Sequence, residues 1–321
     1  MIFYRAAAAA MLAAVSFGAA AQSFPTKAIR LICPFPPGGA VDIASRAIAN
    51  ELQKNLGQAV TVENRPGAGG NLGGEAAAKS APDGYTLFMT TSGIQAINPA
   101  LYTKMNYDPN KELAPVVPLV SLSNVLVLHP SVKAASVKEV IAMAKAQPGK
   151  IAYASSGNGT SIHMSGAMFT QLTGIDLLHI PYKGSSPAVT DLLAGQVSMM
   201  FDNIPSALPH IKSGKLKALA TTGAKRDAAL PDLPTIAEAG VPGYESGVWF
   251  GISVPAATPK DIIARLNAET VKGAKSPEFV KRMTDLGYNL IPGSADNMAE
   301  MIKAEIVRWT PIVKASGAKV D

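Results

Sequence analysis

The stretch that decides the fold is "IRLICPFPPGGAVD", residues 29–42. Ile29 to Phe35 is an apolar run that reads as a buried strand. From Val41 onward the apolar residues Ala44, Ile48, Leu52 and Leu56 recur at helical spacing, and Gly57 is a plausible stop. Between strand and helix, Pro34, Pro36, Pro37, Gly38 and Gly39 break the chain hard. A glycine-rich loop at the C-terminal end of a strand, just before a helix, is where open α/β sheets bind ligands. Glycines let the backbone come close, and the helix start offers unpaired N–H groups and the positive end of a dipole. The two neighbouring prolines stiffen the approach and limit the entropy lost on binding. Phe35, Pro36, Pro37, Gly38, Gly39 and Ala40 thus read as an anion cradle, with a plain tight turn at Gly38-Gly39 as the other reading. The loop has neither G-x-G-x-x-G nor Gly-Lys-Ser/Thr, and Asp42 in the first helical turn would repel a multiply charged phosphate. A carboxylate suits it better.

Working outward, the alternation continues and marks an α/β fold. "AVTVEN" (59–64) is a strand and "RPGAGGN" (65–71) a break. A helix is expected through Glu75–Lys79, and "YTLFMTT" (85–91) is a third strand. Asn98 to Pro118, rich in proline, is expected to be irregular. The theme then returns: "KIAYAS" (150–155) as strand, "SGNGT" (156–160) as break, and a helix over Ser161–Leu172. The strand "LLHIPY" (177–182) and a turn at "KGSSP" (183–187) follow. Two lobes on similar α/β lines are the expectation. After "WFGISVP" (249–255) the tail reads as helical, with Pro259 at a first helical position and Ser294 as a cap. It is expected to pack back on the first lobe.

In the second break, Ser155, Ser156 and Thr160 can donate hydroxyls, and Gly157 and Gly159 can expose amides. His163 falls in the first helical turn, as a ligand contact or as a core or capping residue. Ser92 in "TTSG" and Asp202 in "MMFDN" follow strands, and each can face a cleft or serve a turn. Lys183 can pair with a carboxylate or lie exposed. Ser156, His163 and Asp202 are the residue types of a hydrolase triad, but the elbow G-x-S-x-G is missing. No enzyme chemistry is expected.

Composition narrows the class. Arg5, the apolar stretch Ala6–Gly18 and Ala19-x-Ala21 form a secretory signal peptide, so the mature chain should start near Gln22. The apolar run is too short for a permanent membrane span, and a periplasmic location follows. About 300 residues remain, enough for two lobes. The formal charge of +6 becomes +5 once Arg5 is lost, with no basic run, so nucleic-acid binding is not expected. Cys33 is the single cysteine, which rules out an intrachain disulfide. The four histidines are scattered, so no metal or other cofactor is expected.

Together the segments resemble a known family, the periplasmic Bug-type, or TctC-like, solute receptors of tripartite tricarboxylate transport systems. The resemblance rests on "FPTKAIRLICPFPPGGAVD", "VENRPGAGGNLG", "PDGYTL", "PGKIAYASSGNGTSIH", "IPYKGSSPAVTDLLAGQVSMMFDN", "SGKLKALATTGAKR" and "LPDLPTIAEAGVPGYE", in that order. It implies a two-lobed periplasmic-binding-protein (Venus flytrap) fold, each lobe a Rossmann-like α/β sheet, type II-like. It further implies a ligand carboxylate held between the two glycine loops, partly through ordered water, with Ser92, Tyr182 and Asp202 lining the cleft. By the same analogy, lobe 1 covers 22–122 and 252–321 and lobe 2 covers 123–251. Hinge crossings then fall near 120–127 and 248–254. The implied partners are a small and a large membrane subunit, and the receptor is expected to be a monomer. Val41 stands where the family often has threonine, and Ala167 where an acidic residue is common. A receptor feeding a sensor, or a secreted hydrolase using Ser156 and His163, are the alternative functions. The pocket's distal end, around Ile94, Gln95 and Tyr244–Trp249, sets ligand identity. With no basic cluster in the loops, mono- or dicarboxylates are favoured over tricarboxylates.

Overall fold

The computed structural model describes residues 24–315 and 319–320. The signal-peptide expectation lies outside the described residues. Strand β1 (Ile29–Cys33) is flanked on both sides by parallel partners, β2 (Val60–Asn64) and β3 (Thr86–Thr91). Burial on both faces is why its sequence, apart from the half-buried Arg30, is apolar rather than alternating. β3 then pairs antiparallel with β9 (Gly247–Pro255).

The long strand β4 (Leu113–Leu128) organises the molecule. Its first part runs antiparallel to β9 as far as Ser123↔Gly247, with the short β10 (Asn289–Leu290) on its other side. From Asn124 it changes partners, taking β7 (Met199–Asn203) and β8 (Lys217–Thr221). β5 (Ala152–Ser155) and β6 (Leu178–Pro181) extend the second half in parallel. One half therefore reads β2-β1-β3-β9-β4-β10 and the other β6-β5-β7-β4-β8. These are the two lobes, joined through one curled sheet.

Asn98–Pro118 is not irregular, contrary to the sequence expectation. It holds helices α3 (Asn98–Leu101) and α4 (Pro109–Glu112) and the start of β4. Pro115 and Pro118 misled the reading because a proline cannot donate to a sheet ladder. The register shifts at Pro115/Val117 and Pro118/Val120 show how the strand accommodates them, by slipping around each missing N–H.

The helices of the first lobe follow the pattern in the sequence. α1 (Ala40–Leu56) buries Ala44, Ile48, Leu52 and Leu56 and ends at Gly57, left-handed at φ 67°. α2 (Asn71–Ala78) begins earlier than expected, directly after a turn of 3-10 helix at Ala68–Gly70. In the second lobe come α5 (Val137–Ala146), α6 (Ser161–Thr173), α7 (Ser185–Leu193) and α8 (Ile204–Lys212). "KGSSP" is thus a helix start rather than only a turn. The tail supplies α9 (Lys260–Ala274), α10 (Pro277–Asp285) and α11 (Ala295–Ala315). Pro259 is the N-cap of α9 rather than its first residue. Ser294 caps α11, its hydroxyl accepting from Asn297 N–H at 3.0 Å while Asn297 Oδ1 accepts from Ser294 N–H at 3.1 Å.

α9 packs on α1, where Asn55 Nδ2 donates to Glu269 O at 2.9 Å. α11 departs from the expectation because it reaches both lobes. Trp309 and Val313 join one buried cluster with Ala96, Ile97 and Leu101 and with Phe169, Phe201 and Tyr244. Arg308 also donates to Glu245 O at 2.8 Å. Among the described residues, no helix is long and apolar enough to cross a membrane.

Candidate functional site

The loop after β1 leads into α1 without a side-chain cap, since Gly39 occupies the N-cap. Its shape is held from behind. Gly38, at φ +88°, donates its N–H to Asp42 Oδ2 at 3.0 Å. Arg46 Nε donates to the same oxygen at 2.9 Å, and Asn64 Nδ2 reaches Asp42 Oδ1 and Phe35 O, both at 2.8 Å. Asp42 therefore tethers the loop and neutralises Arg46. Cys33 lies underneath, its thiol pushed up to about 11 by burial and so inert as a nucleophile.

The loop after β5 is braced by neutral groups. Thr160 caps α6 by accepting from His163 N–H, and its hydroxyl donates to Gly157 O at 2.7 Å. Gly159 N–H donates to His163 Nδ1 at 3.2 Å, which leaves that nitrogen unprotonated. Ser155 Oγ meets His179 Nε2 at 2.6 Å and also accepts from Gly157 N–H. The His163 and His179 rings stack with centroids 4.2 Å apart. Burial pushes His163 down to about 4 and His179 to about 3, so both are neutral at pH 7.

The loop after β5 is approached closely from the first lobe by the segments that follow β2 and β3. A Cβ on Gly69 would lie 2.2 Å from Asn158 O, and one on Gly93 would lie 2.9 Å from Gly159 O. Ser186 Oγ donates to Pro37 O at 2.7 Å across the cleft. The lobes are closed.

Between them is a cavity with about 430 Å³ of space unfilled by atoms, part of it open to solvent. Of the residues singled out from the sequence, Phe35, Gly39, Ala40, Ser156 and Thr160 line it. Pro36, Pro37, Gly38, Asp42, Ser155, Gly157, Gly159 and His163 shape or brace the two loops behind that wall. Ser92 is buried where β3 runs into a wide turn at Gly93–Ile97. Tyr182 is turned to Asp191, donating to Oδ2 at 2.7 Å. Asp202 is fully buried and accepts Ser185 Oγ and Ser206 Oγ, each at 2.6 Å, while burial pushes its carboxyl up to about 6.

Thr91 and Gly93 fall in the "TTSG" stretch and Val248 in the Tyr244–Trp249 segment that sequence reasoning pointed to, but it passed over Gly69, Ser185, Asn203 and Phe250, which also line the cavity. Two signals pointed to them. "GAGGN" and "KGSSP" are both glycine breaks after strands, of the kind already recognised at Gly38 and Gly157. No local signal marks Phe250, which arrives on β9 from far along the chain. Ile94, Gln95, Tyr244 and Trp249 are buried elsewhere, in the packing around the site.

The electrostatics of the cavity are simple. None of its lining side chains is charged. Instead Ala40, Ser161 and Ser185 are the first residues of α1, α6 and α7, and Asn203 is the N-cap of α8. Four helix starts converge on one small space. Their first N–H groups have no acceptor a turn earlier, so the cavity is electropositive without a single cation on its wall. Ser156 makes no hydrogen bond with His163, whose Nδ1 is already taken by Gly159.

Comparison with known proteins places most of the described chain in one family and fold. A family model described as the tripartite tricarboxylate transporter family receptor matches residues 44–318. The chain is 38% identical to protein BugT of Bordetella pertussis over 309 residues, covering 96% of this chain and 95% of that one. A structure of Rhodopseudomonas palustris Rpa4515 with adipate superposes with a TM-score of 0.90 at 36% identity, covering 92% of this chain and all of that one. MatC from the same organism, with bound malate, gives a TM-score of 0.87 at 33% identity, covering 90% of this chain and all of that one.

Proposed function

The chain belongs to the tripartite tricarboxylate transporter receptor family, and from that premise we propose that it is a periplasmic receptor that closes around one small organic carboxylate. It is a solute-binding protein and not an enzyme. The convergence of four helix starts on an uncharged cavity carries the reading. A carboxylate placed there takes N–H donors of α1 and α6 and the field of α7 and α8, and no desolvated lysine or arginine is needed. With one or two units of charge the field suffices. A third carboxylate would have no cation to meet it, which supports mono- and dicarboxylates over tricarboxylates.

Delivery to a small and a large membrane subunit, by the monomeric receptor, completes the proposal. The lobe division goes with it. The expected division is 22–122 and 252–321 against 123–251. The partner change of β4 at Ser123–Asn124 supports its first crossing, and the pairing of all of β9 with first-lobe strands supports moving the second crossing back to Gly247.

A thermal-shift screen of residues 22–321 against mono-, di- and tricarboxylates tests this. A bound acid at a hundred times its dissociation constant adds about 2.7 kcal/mol, a rise of several degrees in Tm. Shifts from mono- or dicarboxylates alone are expected. No shift with any carboxylate would remove the proposal, and a response confined to tricarboxylates would remove its charge argument.

A further inference from the structure

One acceptor on the cavity wall has nothing to accept. Asn203, 6% exposed, donates through Nδ2 to Asn124 Oδ1 at 2.6 Å and more distantly to Ser161 Oγ at 3.5 Å. No group among the described residues donates to its Oδ1. That oxygen is also absent from the fully enclosed polar atoms without partners, so it retains access to the cavity that Asn203 lines. An open acceptor is out of place in a pocket built for anions, since it repels a carboxylate oxygen. It is free to meet a donor on another part of the ligand.

The orientation of Asn203 is held from behind by a buried chain. Asn124 Nδ2 donates to Ser165 Oγ at 2.9 Å, and Ser165 Oγ meets Ser246 Oγ at 2.8 Å. Asn124 N–H donates to Thr222 Oγ1 at 2.8 Å, and that hydroxyl donates to Ser246 O at 2.7 Å. Asn124, Ser165 and Ser246 are all within 1% of full burial. Because Asn124 spends its amide on Ser165, its oxygen is left for Asn203 Nδ2, and Asn203 must turn its own oxygen to the cavity. The chain also touches both crossings between the lobes, at Asn124 where β4 changes partners and at Ser246 just before β9.

We propose that Asn203 selects the ligand by accepting a hydrogen bond from a hydroxyl on its carbon chain, with Asn124 as the positioning residue. The inference rests on the carboxylate-receptor reading and names the class within it: small hydroxycarboxylates. A hydroxyl fits better than an ammonium because no acidic side chain lines the cavity to balance a cation. The walls offered by Val41, Val248 and Phe250 accept the remaining carbon skeleton.

The test is the affinity of the mature protein for matched acids, by calorimetry: lactate against propionate and alanine, and malate against succinate. The hydroxy acid of a pair should bind at least tenfold more tightly than its parent, because the parent leaves a buried acceptor unpaired. Asn203→Ala should bring the two within about twofold of each other. Asn124→Ala, remote from the ligand, should lower the same ratio by letting Asn203 turn, an effect that a merely structural role would not produce. Parent and hydroxy acid binding equally to the wild type would overturn the inference while leaving the receptor reading intact, and this arm needs no variant to fold. Preference for alanine over lactate would overturn it in favour of an ammonium. If no acid of either set or of the wider carboxylate panel bound, the receptor reading would fall and this inference with it.

Discussion

The two loops that face the cavity use the same backbone device and are supported in opposite ways. The first, after β1, is stiffened by Pro36 and Pro37 and tied by a charged group, Asp42, to Arg46, Asn64 and its own Gly38. Half of the Arg46 side chain is in solvent. The second, after β5, has no ion pair among the described residues and stands on two stacked imidazoles and a serine, with His163 and Ser155 buried and His179 half-buried. An anion site can be braced by charge where water shares the load. Where water is excluded, neutral acceptors avoid the cost of burying an ion. The loops should therefore fail under different insults.

The largest difference should come from bulk at their glycines. Both Gly38 and Gly159 are left-handed, at φ +88° and +78°, so any side chain strains either by about 1–2 kcal/mol. Their surroundings differ more. A Cβ on Gly159 would lie 2.0 Å from Asn98 Oδ1 across the cleft, whereas on Gly38 its nearest neighbour is Ser186 Oγ at 3.4 Å. Gly159→Leu should abolish the ligand-induced rise in Tm while the unliganded protein keeps its circular dichroism spectrum. Gly38→Leu should weaken binding about tenfold. Equal losses in the two variants would mean that backbone strain, and not closure of the second loop, sets the effect.

Acid should separate the loops next. His163 has a folded pKa of about 4 against 6.5 for the free ring. Its contribution is complete above pH 6.5 and is lost as pH falls towards 4, a change of about 3 kcal/mol. Asp202 works against it. Its pKa is raised from 3.8 to about 6, so folding favours the protonated acid and stability falls as pH rises through that range. His179, at about 3, adds to the loss on the same side as His163. Urea melts between pH 7 and 4 should show a net loss in the wild type, steeper in Asp202→Asn. The loss should be reduced but not abolished in His163→Gln, whose amide oxygen can still accept from Gly159 and which leaves His179 in place. A wild-type slope unchanged in His163→Gln would shift the acid sensitivity away from His163.

The first loop was legible in the sequence because what sets its course is local, although Asn64 and Ser186, which also hold it, come from elsewhere. The strand, the Pro/Gly break and the helix carrying Asp42 follow one another within fourteen residues, Ile29 to Asp42. The second was legible as a loop but not as a mechanism. Ser155 and His163 are seen at once, yet His179, which completes the stack, sits on a neighbouring strand, and only sheet pairing brings it under the loop. Asp202 drew attention for its charge, while its neighbour Asn203 lines the cavity. Residues along a strand alternate between faces, and the sequence does not say which face is the cavity. β4 was hidden for another reason, since its prolines imitate a loop and only long-range pairing overrides them.

A smaller effect tests the contact between the lobes directly. Gly93 is not left-handed, so a methyl there causes no backbone strain, and the 2.9 Å approach to Gly159 O is its main consequence. Gly93→Ala should leave the Tm of the unliganded protein unchanged and weaken ligand binding about tenfold, chiefly through faster release. An equal fall in unliganded stability would mean that the clash is felt within one lobe.

The smallest expected change is at the first loop's only side-chain tie to the second lobe among the described hydrogen bonds, Ser186 Oγ to Pro37 O at 2.7 Å. A neutral hydrogen bond is worth about 1 kcal/mol net, and here it exists only when the lobes are together. Removing it with Ser186→Ala shifts the open–closed balance by that amount, and ligand affinity falls about fivefold with it. The ligand itself is untouched, so every carboxylate that binds should lose the same factor. Ser156→Ala alters the cavity wall and should instead change the ranking among acids. A uniform loss in one variant and a reordering in the other would separate the closure of the first loop from recognition by the second. If Ser186→Ala also reordered the acids, Ser186 would belong to the recognition surface, and the first loop would have no purely mechanical tie across the cleft.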